Sequence, residues 1–358
     1  MAEIELTPEQ QREQVNTGTK SVAESHRFDE ARLATWMAAN VEGYSGPLEV
    51  RQFKGGQSNP TYQLVTPGKT YVMRRKPPGK LLPSAHAVDR EFRVISALYP
   101  IGYPVAKPYG LCIDEDVIGT MFYIMDMVEG RILWDQSLPS YSPPERHAIH
   151  MAALKSLADL HNVDYRAVGL EGFGREGNYM SRQISRWTKQ YRASETERSE
   201  EMERLIEWLP QSVPEDDQTT IVHADYRLDN MVLHPTEPRV AAVLDWELCT
   251  LGNPLADFSY VLMQWINGTI STLPDLKAHG IPTMDEYIAE YCRQTGRPGL
   301  PNLDWYFSYN AFRLAGILQG IVGRVRDGTA NSPQALENAA RVPLLAQTAW
   351  EYARRAGA

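Results

Sequence analysis

The residues with the clearest potential for chemistry lie in one stretch of the chain, between Thr220 and Glu247. His223, Asp225 and Asn230 follow a short apolar run with the spacing H-x-D-x4-N, and Asp245 ends a second apolar run. Carboxylate and amide oxygens suit Mg²⁺, which commonly takes one or two protein ligands and completes its shell with substrate phosphates. These residue types, in this order, predict a site for Mg²⁺ and nucleotide phosphates.

The stretch must fold so that these side chains meet. Met231–Leu233 and residues 240–244 are typical of short strands, and the two prolines within 234–238 make the segment between them a turn. Such a hairpin brings the loop that carries Asp225 and Asn230 close to Asp245. A lone aspartate in a loop is most often a turn or cap residue, so the prediction depends on the ordered set.

The roles follow from what phosphoryl transfer requires. The reaction depends on positioning, on charge neutralisation and on a group that accepts the proton of the attacking hydroxyl. We assign Asp225 as that catalytic group and Asn230 and Asp245 as the metal ligands. His223 is assigned to support of the loop.

The wording of this stretch resembles a known family. HADYRLDN, residues 223–230, resembles the catalytic loop of the aminoglycoside phosphotransferase (APH)-like and choline kinase-like small-molecule kinases, which are relatives of the protein kinases. LDWE, residues 244–247, resembles their metal-binding segment. Residues 223–260 are similar above all to the kinase-like domain at the front of some multidomain acyl-CoA dehydrogenases and to free-standing bacterial relatives. The resemblance covers the chain from residue 45 onward.

The resemblance implies an α+β, bilobal protein-kinase-like fold. We expect an N-terminal arm and helix over 1–45, an N-lobe with a small antiparallel sheet and one helix over 46–128, and a mostly α-helical C-lobe over 129–358. The active site is expected in the cleft between the lobes, with ATP and Mg²⁺ as cofactors. Glu247 and Asp257 are implied as supporting residues, Asp257 through hydrogen bonds to the backbone of the catalytic loop; a partner of the helix dipole is the alternative for Asp257.

A glycine-rich turn precedes the catalytic stretch and is the candidate nucleotide loop. It lies between strands predicted over 48–54 and Thr61–Val65, and glycine there lets the backbone approach phosphates closely. A Gly-Gly pair alone is usually a hairpin turn, and the P-loop pattern is absent, which excludes a P-loop NTPase. The nucleotide-binding residues assigned here are Gly55, Gly56, Gln57, Ser58 and Asn59.

The other nucleotide-binding residues are assigned through the resemblance. Arg74 lies where the kinases keep a basic residue against the α- and β-phosphates, although protein kinases use lysine there. Side chains alternate along a strand, so a register shift of one would give this role to Arg75. Glu91, in a helix predicted over 84–99, resembles the acid that pairs with that base. Asp126 and Val128 fall in the hinge whose backbone binds adenine.

Local patterns predict several further helices. Leu33, Trp36 and Met37 form one apolar face over 28–40, and a Ser-Pro-Pro-Glu sequence begins a helix that extends from 142 to about 161. Asn253 followed by Pro254 is a helix start. Further helices are predicted over 182–191, 197–209, 284–295 and 302–325, with a last helix from Ser332.

The acceptor is predicted only as a small molecule with a hydroxyl group. Aminoglycosides are polycations and need an acidic pocket, whereas the acyl-CoA dehydrogenase-linked branch suggests a hydroxy acid or hydroxyacyl-CoA, which needs basic side chains. We favour the second class slightly. The candidate acceptor-binding residues are Arg227, Arg186 and Arg313, with Arg182, Lys189 and Arg192 in the same region.

Composition and charge restrict the alternatives. The 358 residues are 43% hydrophobic with a net charge of −9, and no apolar run is long enough for a membrane span. The charge argues against nucleic acid as a partner. A polar, acidic start without a signal-peptide pattern and three widely separated cysteines predict a cytoplasmic protein. Oligomeric state is not predicted.

Two other functions stay open at this point. The chain could bind nucleotide as a non-catalytic pseudokinase or regulatory module, although retention of Asp225, Asn230 and Asp245 argues for activity. A metal-dependent hydrolase built on His223, Asp225 and Asp245 is weaker, because no further histidine completes a zinc-like set.

Overall fold

The chain divides into two units. The computed structural model describes residues 15–55, 59–77, 87–215, 218–327 and 335–358, and of 335–338 the backbone only. The units, called unit 1 and unit 2 below, are formed by discontinuous segments. Unit 1 comprises Met1–Ser156, Arg166–Leu170 and Arg227–Cys249, and unit 2 comprises Leu157–Tyr165, Glu171–Tyr226 and Thr250–Ala358. The predicted boundaries at 45 and 128 remain a prediction from the resemblance.

Unit 1 contains the antiparallel sheet that the sequence predicted. Its order is β1-β2-β3-β4-β6-β5, and every neighbouring pair is antiparallel. β1 was not predicted: this two-residue strand pairs Thr19 with Phe53 in a segment expected to be a loose or surface-laid arm. The strands are β1 (Thr19–Lys20), β2 (Glu49–Phe53), β3 (Thr61–Val65), β4 (Thr70–Arg75), β5 (Pro108–Cys112) and β6 (Phe122–Asp126).

The core of unit 1 lies between this sheet and the first helix. Helix α1 (Glu30–Asn40) begins at Asp29, whose side chain accepts a hydrogen bond from the Arg32 N–H. Its predicted apolar face is confirmed, because Leu33 and Met37 are completely buried in a cluster with the sheet residues Tyr62, Leu64, Met73 and Phe122, against which Trp36 also packs. This packing leaves the opposite face of the sheet for other contacts.

Helix α2 and a hairpin complete unit 1. Helix α2 (Val88–Leu98) packs on β5 and β6; the residues 84–86 that were predicted to open it lie outside the described residues. The hairpin pairs β8 (Met231–Leu233) with β9 (Val240–Val243), as predicted. Pairing of Met231 with Val243 places the ends of the two strands side by side.

Unit 2 is mostly helical, with one short ribbon. The ribbon pairs β7 (Thr220–Val222) with β10 (Thr250–Gly252), and α10 packs against α4, α6 and α11. The helix predicted near residues 284–295 is confirmed as Met284–Thr295; the start predicted at Ser332 lies outside the described residues. The helices are α3 (Pro143–Asn162, in unit 1 as far as Ser156), α4 (Tyr179–Ser194), α5 (Glu200–Trp208), α6 (Pro254–Leu262), α7 (Gln264–Asn267), α8 (Leu276–His279), α9 (Met284–Thr295), α10 (Leu303–Arg326) and α11 (Ala335–Arg355).

The described ranges contain no helix that combines the length and the apolar character needed to cross a bilayer.

Candidate active site

A cavity of about 340 Å³ in unit 1 gathers many of the predicted nucleotide-site residues. Part of its wall is apolar, as a nucleobase requires, and part is polar. The apolar lining includes Val72, Ile95, Ala106, Met125, Ile132 and Val232. The polar and charged lining includes Arg74, Asp126, Arg227, Asp229, Asn230 and Asp245, and Gly55 and Val128 also line the cavity.

Strand alternation separates Arg74 from Arg75. Arg74 lies on the same face of β4 as Val72 and lines the cavity. Arg75 points to the other face, where it is 2% exposed and its guanidinium lies 5.2 Å from the ring centre of Phe28 and 5.5 Å from that of Tyr62. The register that the sequence favoured is therefore the one observed.

Two carboxylates hold Arg74 in place. Its Nε lies 3.0 Å from Glu91 Oε2, and its Nη2 donates to Asp245 Oδ1 at 3.0 Å. Burial opposes the charge of this guanidinium, but Glu91, Tyr123 and Asp245 raise the pKa of Arg74 above its ordinary value. Arg74 is thus a fixed cation at the polar end of the cavity.

Glu91 is a buried carboxylate that pairs with Arg74 and accepts two further hydrogen bonds. It is 1% exposed, accepts a hydrogen bond from Asn59 Nδ2 at 2.8 Å, and accepts another from the Tyr123 hydroxyl at 3.0 Å. The sequence assigned Asn59 to the nucleotide, but its side chain is completely buried and also donates to Glu247 Oε2 at 3.4 Å. Glu91 therefore supports Arg74 directly, and Asn59 links Glu91 to Glu247. Neither Asn59 nor Glu91 is among the residues that line the cavity.

The β8–β9 hairpin brings Asn230 and Asp245 to the same cavity. The Leu244 N–H donates to the Asn230 carbonyl at 2.8 Å, and the Trp246 indole N–H donates to the Val243 carbonyl at 3.0 Å. Asp245 adopts a left-handed backbone conformation, with φ of 63°, which is uncommon outside glycine and is held here by these contacts. Its carboxylate stays about a third exposed.

The remaining predicted nucleotide residues have mixed outcomes. Gly56, Gln57 and Ser58 lie outside the described residues. The Asp126 N–H donates to the Lys107 carbonyl at 2.8 Å and its carboxylate lies 3.1 Å from Lys69 Nζ, so its N–H is already bonded. The expectation that backbone groups near Asp126 and Val128 bind adenine therefore falls on groups other than the Asp126 N–H, and it stays a prediction.

In unit 2, one aspartate braces the start of the catalytic loop. Asp257 accepts hydrogen bonds from the N–H groups of His223 at 2.7 Å and Ala224 at 2.9 Å, which are the backbone bonds that the resemblance implied. Burial alone would raise its pKa, but His161 and His223 hold the pKa of Asp257 below its ordinary value. Asn253 fixes the helix that carries Asp257 by accepting from the N–H groups of Leu255 and Ala256.

The loop reaches Asp225 through a strained residue. Ala224 has φ of 67°, a left-handed conformation that persists in a non-glycine residue only where surrounding contacts determine it. The Asp225 N–H donates to His223 Nδ1 at 3.3 Å, and the Tyr260 hydroxyl donates to Asp225 Oδ1 at 2.9 Å. His223 is completely buried.

Arg313 supports this loop, contrary to its assignment as an acceptor-binding residue. It is 7% exposed, its Nη2 donates to the Ala224 carbonyl at 2.5 Å, and its guanidinium lies 4.8 Å from the ring centre of Tyr260 and 5.6 Å from that of Trp187. A buried side chain bonded to the backbone is poorly placed to contact a ligand. Its position on a helix predicted to line the acceptor site gave no sign of this burial.

The other candidate acceptor residues differ in the contacts that their side chains make with the protein. Arg182 donates to the carbonyls of Gly177 and Arg175, and Arg192 pairs with Glu203. Arg186 is exposed, and its guanidinium lies 5.2 Å from the ring centre of Trp187. Arg227 belongs to unit 1, where it lines the cavity and pairs with Asp229 at 3.0 Å.

Sequence reasoning missed three side chains in these networks. Tyr123 donates to Glu91, Tyr291 hydrogen-bonds to His161 Nδ1 at 2.7 Å, and Tyr260 contacts Asp225. One signal was available for Tyr260, because it lies three residues after Asp257 and so on the same face of α6. His161, predicted to be structural, is buried against Asp257 at 3.3 Å.

Comparison with known proteins agrees with this geometry. The model of the phosphotransferase enzyme family, APH, matches residues 49–306. Acyl-CoA dehydrogenase family member 10 of Mus musculus is 44% identical over 319 residues, which are 87% of this chain and 30% of the mouse protein. The chain thus spans less than a third of that relative's length.

Solved structures show the same fold. A Ralstonia eutropha protein, provisionally named an aminoglycoside phosphotransferase, is 53% identical, with a TM-score of 0.85 over 92% of this chain and 99% of its own. An aminoglycoside phosphotransferase in ternary complex with AMP-PNP and hygromycin B is 15% identical, with a TM-score of 0.59 over 91% and 98% of the two chains, which is a likeness of fold. The chain belongs to the APH phosphotransferase enzyme family and has its kinase-like fold.

Proposed function

We propose that this protein transfers the γ-phosphoryl group of ATP, with Mg²⁺, to a hydroxyl group of a small molecule. The observation that carries the proposal is that Arg74, Asn230 and Asp245 line one partly apolar cavity in unit 1. This combination supplies a surface for a base, a fixed cation for phosphates and oxygen donors for a metal. The family membership supports phosphotransfer, and the AMP-PNP complex of the fold neighbour supports nucleotide as the donor.

The donor set fits Mg²⁺. Asp245 offers a partly exposed carboxylate and Asn230 an amide oxygen, both hard ligands, and phosphates would supply others. Among the described residues there is no group of three or more His, Cys, Asp or Glu side chains that could hold a metal alone. Mg²⁺ would neutralise phosphate charge during transfer, and Arg74 would contact the α- and β-phosphates.

Asp225 is the proposed proton acceptor. As the acceptor oxygen bonds to the γ-phosphorus and the bond to the leaving ADP oxygen breaks, the hydroxyl proton passes to the Asp225 carboxylate. The braced loop supports this role, because the Ala224 N–H donates to Asp257 and the Tyr260 hydroxyl donates to Asp225, which fixes both the backbone before Asp225 and one of its oxygens. Fixed geometry of this kind is what a general base needs.

The surroundings of Asp225 favour an anionic acceptor over a polycation. Arg313 keeps its charge beside Asp225, since Tyr309, Tyr260, Tyr179 and Asp225 raise its pKa despite the opposing effect of burial. A buried positive charge repels an aminoglycoside but tolerates a hydroxy acid or hydroxyacyl-CoA. The exposed Arg186 is the candidate contact for the acceptor's negative group.

A mass-spectrometric screen with Mg²⁺-ATP tests the proposal. The panel contains aminoglycosides, choline-like alcohols, sugars, and hydroxy acids both free and linked to CoA, and Asp225→Asn is run beside the parent protein. We expect a phosphorylated hydroxy acid or hydroxyacyl-CoA from the parent alone. A phosphorylated aminoglycoside would contradict the proposed acceptor class but would support phosphotransfer.

The alternative is a nucleotide-binding pseudokinase. It predicts that ATP binds and that no acceptor yields a product. It also predicts that Asp225→Asn leaves ATP binding unchanged. The Tyr260–Asp225 hydrogen bond and the brace on Ala224 argue against it, because they orient a carboxylate for which a binding module has no need.

A further inference from the structure

Helix α6 presents two side chains to the catalytic loop from one face. Asp257 accepts from the backbone of His223 and Ala224, and Tyr260, one turn later, donates to Asp225 Oδ1 at 2.9 Å. Residues three apart share a helix face, so both contacts depend on the same segment. The first contact fixes the backbone of the loop, and the second fixes the carboxylate itself.

The ring of Tyr260 also contacts a cation. The Arg313 guanidinium lies 4.8 Å from its centre, and Arg313 also donates to the Ala224 carbonyl. A cation over a ring face is attracted by the ring's quadrupole, and this attraction grows when water is excluded. Arg313 therefore links the ring of Tyr260 to the backbone immediately before Asp225.

We propose that Tyr260 is a positioning residue for phosphotransfer, which sets the orientation of the Asp225 carboxylate. The inference deepens the proposed function and rests on it. A hydroxyl that donates to one carboxylate oxygen restricts rotation of the carboxylate, so that the acceptor hydroxyl meets a base in a defined direction.

The opposing explanation is that Tyr260 only fills space. Tyr260→Phe separates the two, because it keeps the ring against Arg313 and removes the hydroxyl alone. We expect kcat to fall about tenfold while KM for ATP and for the acceptor is unchanged, because the hydroxyl acts on the proton-accepting group and not on binding. A kcat equal to that of the parent would overturn the proposal.

Tyr352→Phe is the matched control. Tyr352 lies on α11, where its ring packs on Phe307 at 5.1 Å between ring centres and lies 4.7 Å from the Arg355 guanidinium. Its loss of one phenolic hydroxyl should leave kcat unchanged. Equal losses of kcat in the two variants would contradict a specific role for Tyr260.

A spectroscopic measurement separates failure of this inference from failure of the proposed function. The ¹³C carboxyl NMR signal of Asp225 is assigned by its disappearance in Asp225→Asn and is then followed at neutral pH. It should shift in Tyr260→Phe and stay in place in Tyr352→Phe, whether or not an acceptor has been found. An unchanged signal in Tyr260→Phe would overturn the inference by itself.

Discussion

Arg74 in unit 1 and Arg313 in unit 2 are both largely buried, and their charges are balanced in different ways. Arg74 in unit 1 lies against two carboxylates, Glu91 and Asp245. Arg313 in unit 2 has a backbone carbonyl and the aromatic rings of Tyr260 and Trp187 as its neighbours. Arg74 is thus paired directly with carboxylates, whereas Arg313 contacts neutral groups and interacts with the Asp225 carboxylate through its charge.

The two arginines are suited to different tasks. A cation held by two carboxylates is a rigid element, and its replacement leaves the buried Glu91 carboxylate without its partner. A cation among rings and a carbonyl influences a neighbouring anion more strongly, because less of its charge is compensated. Stability should therefore depend more on the Arg74 network and reactivity more on the Arg313 network.

The largest effect on stability is expected from Glu91→Gln. It keeps the side-chain volume but removes one charge from the buried Arg74 pair, so the free energy of unfolding should fall by about 3 kcal/mol. Urea denaturation measures the change. The control is Glu237→Gln, which breaks an exposed pair with Arg239 and should give no measurable change. Similar losses in the two variants would contradict the assigned importance of burial.

Arg313→Met should have a smaller effect on stability and a clear effect on turnover. It leaves the Ala224 carbonyl without its donor, so the free energy of unfolding should fall by about 2 kcal/mol. The transfer rate should fall at least about tenfold, with ATP affinity unchanged, because the loop before Asp225 loses a constraint. A stability loss greater than that of Glu91→Gln would reverse the comparison between the units.

The sequence predicted the parts of these networks that depend on local pattern. Asp245 ends an apolar strand and Asn253 precedes Pro254, so the hairpin and the start of α6 were predictable. Strand alternation predicted that Arg74 and Arg75 point to opposite faces of the sheet. It did not predict which of the two faces the cavity, because both residues are basic. The structure decides it by placing Arg75 between Phe28 and Tyr62.

Contacts between distant segments were beyond the sequence. Arg313 and Ala224 lie 89 residues apart, and a basic residue on a helix is exposed more often than buried. Asn59 sits in a glycine-rich turn, where polar side chains usually face solvent or ligand, yet it is buried on Glu91, 32 residues away. These roles arise from tertiary packing, which no spacing rule encodes.

The smallest expected effect concerns the pH dependence of Asp257→Asn. The pKa of Asp257 is lowered in the folded protein, so its charge stabilises the fold above the ordinary value of 3.8, and this contribution disappears as pH falls through the folded pKa. The difference in unfolding free energy between parent and variant should be constant near neutral pH and shrink below pH 3.8. Urea titrations at a series of pH values measure it, and a difference independent of pH would contradict the charged brace.

The most direct test of the account compares Asp225→Asn with Asp245→Asn. ATP affinity is measured by calorimetry with and without Mg²⁺, and transfer is measured in a single turnover with the acceptor from the screen. We predict that Asp225→Asn keeps the Mg²⁺-dependent gain in ATP affinity and loses at least about a hundredfold in transfer rate. In Asp245→Asn, Mg²⁺ should no longer increase the affinity for ATP. An identical response of the two variants, or transfer at the parent rate in Asp225→Asn, would contradict the separate roles on which the account rests.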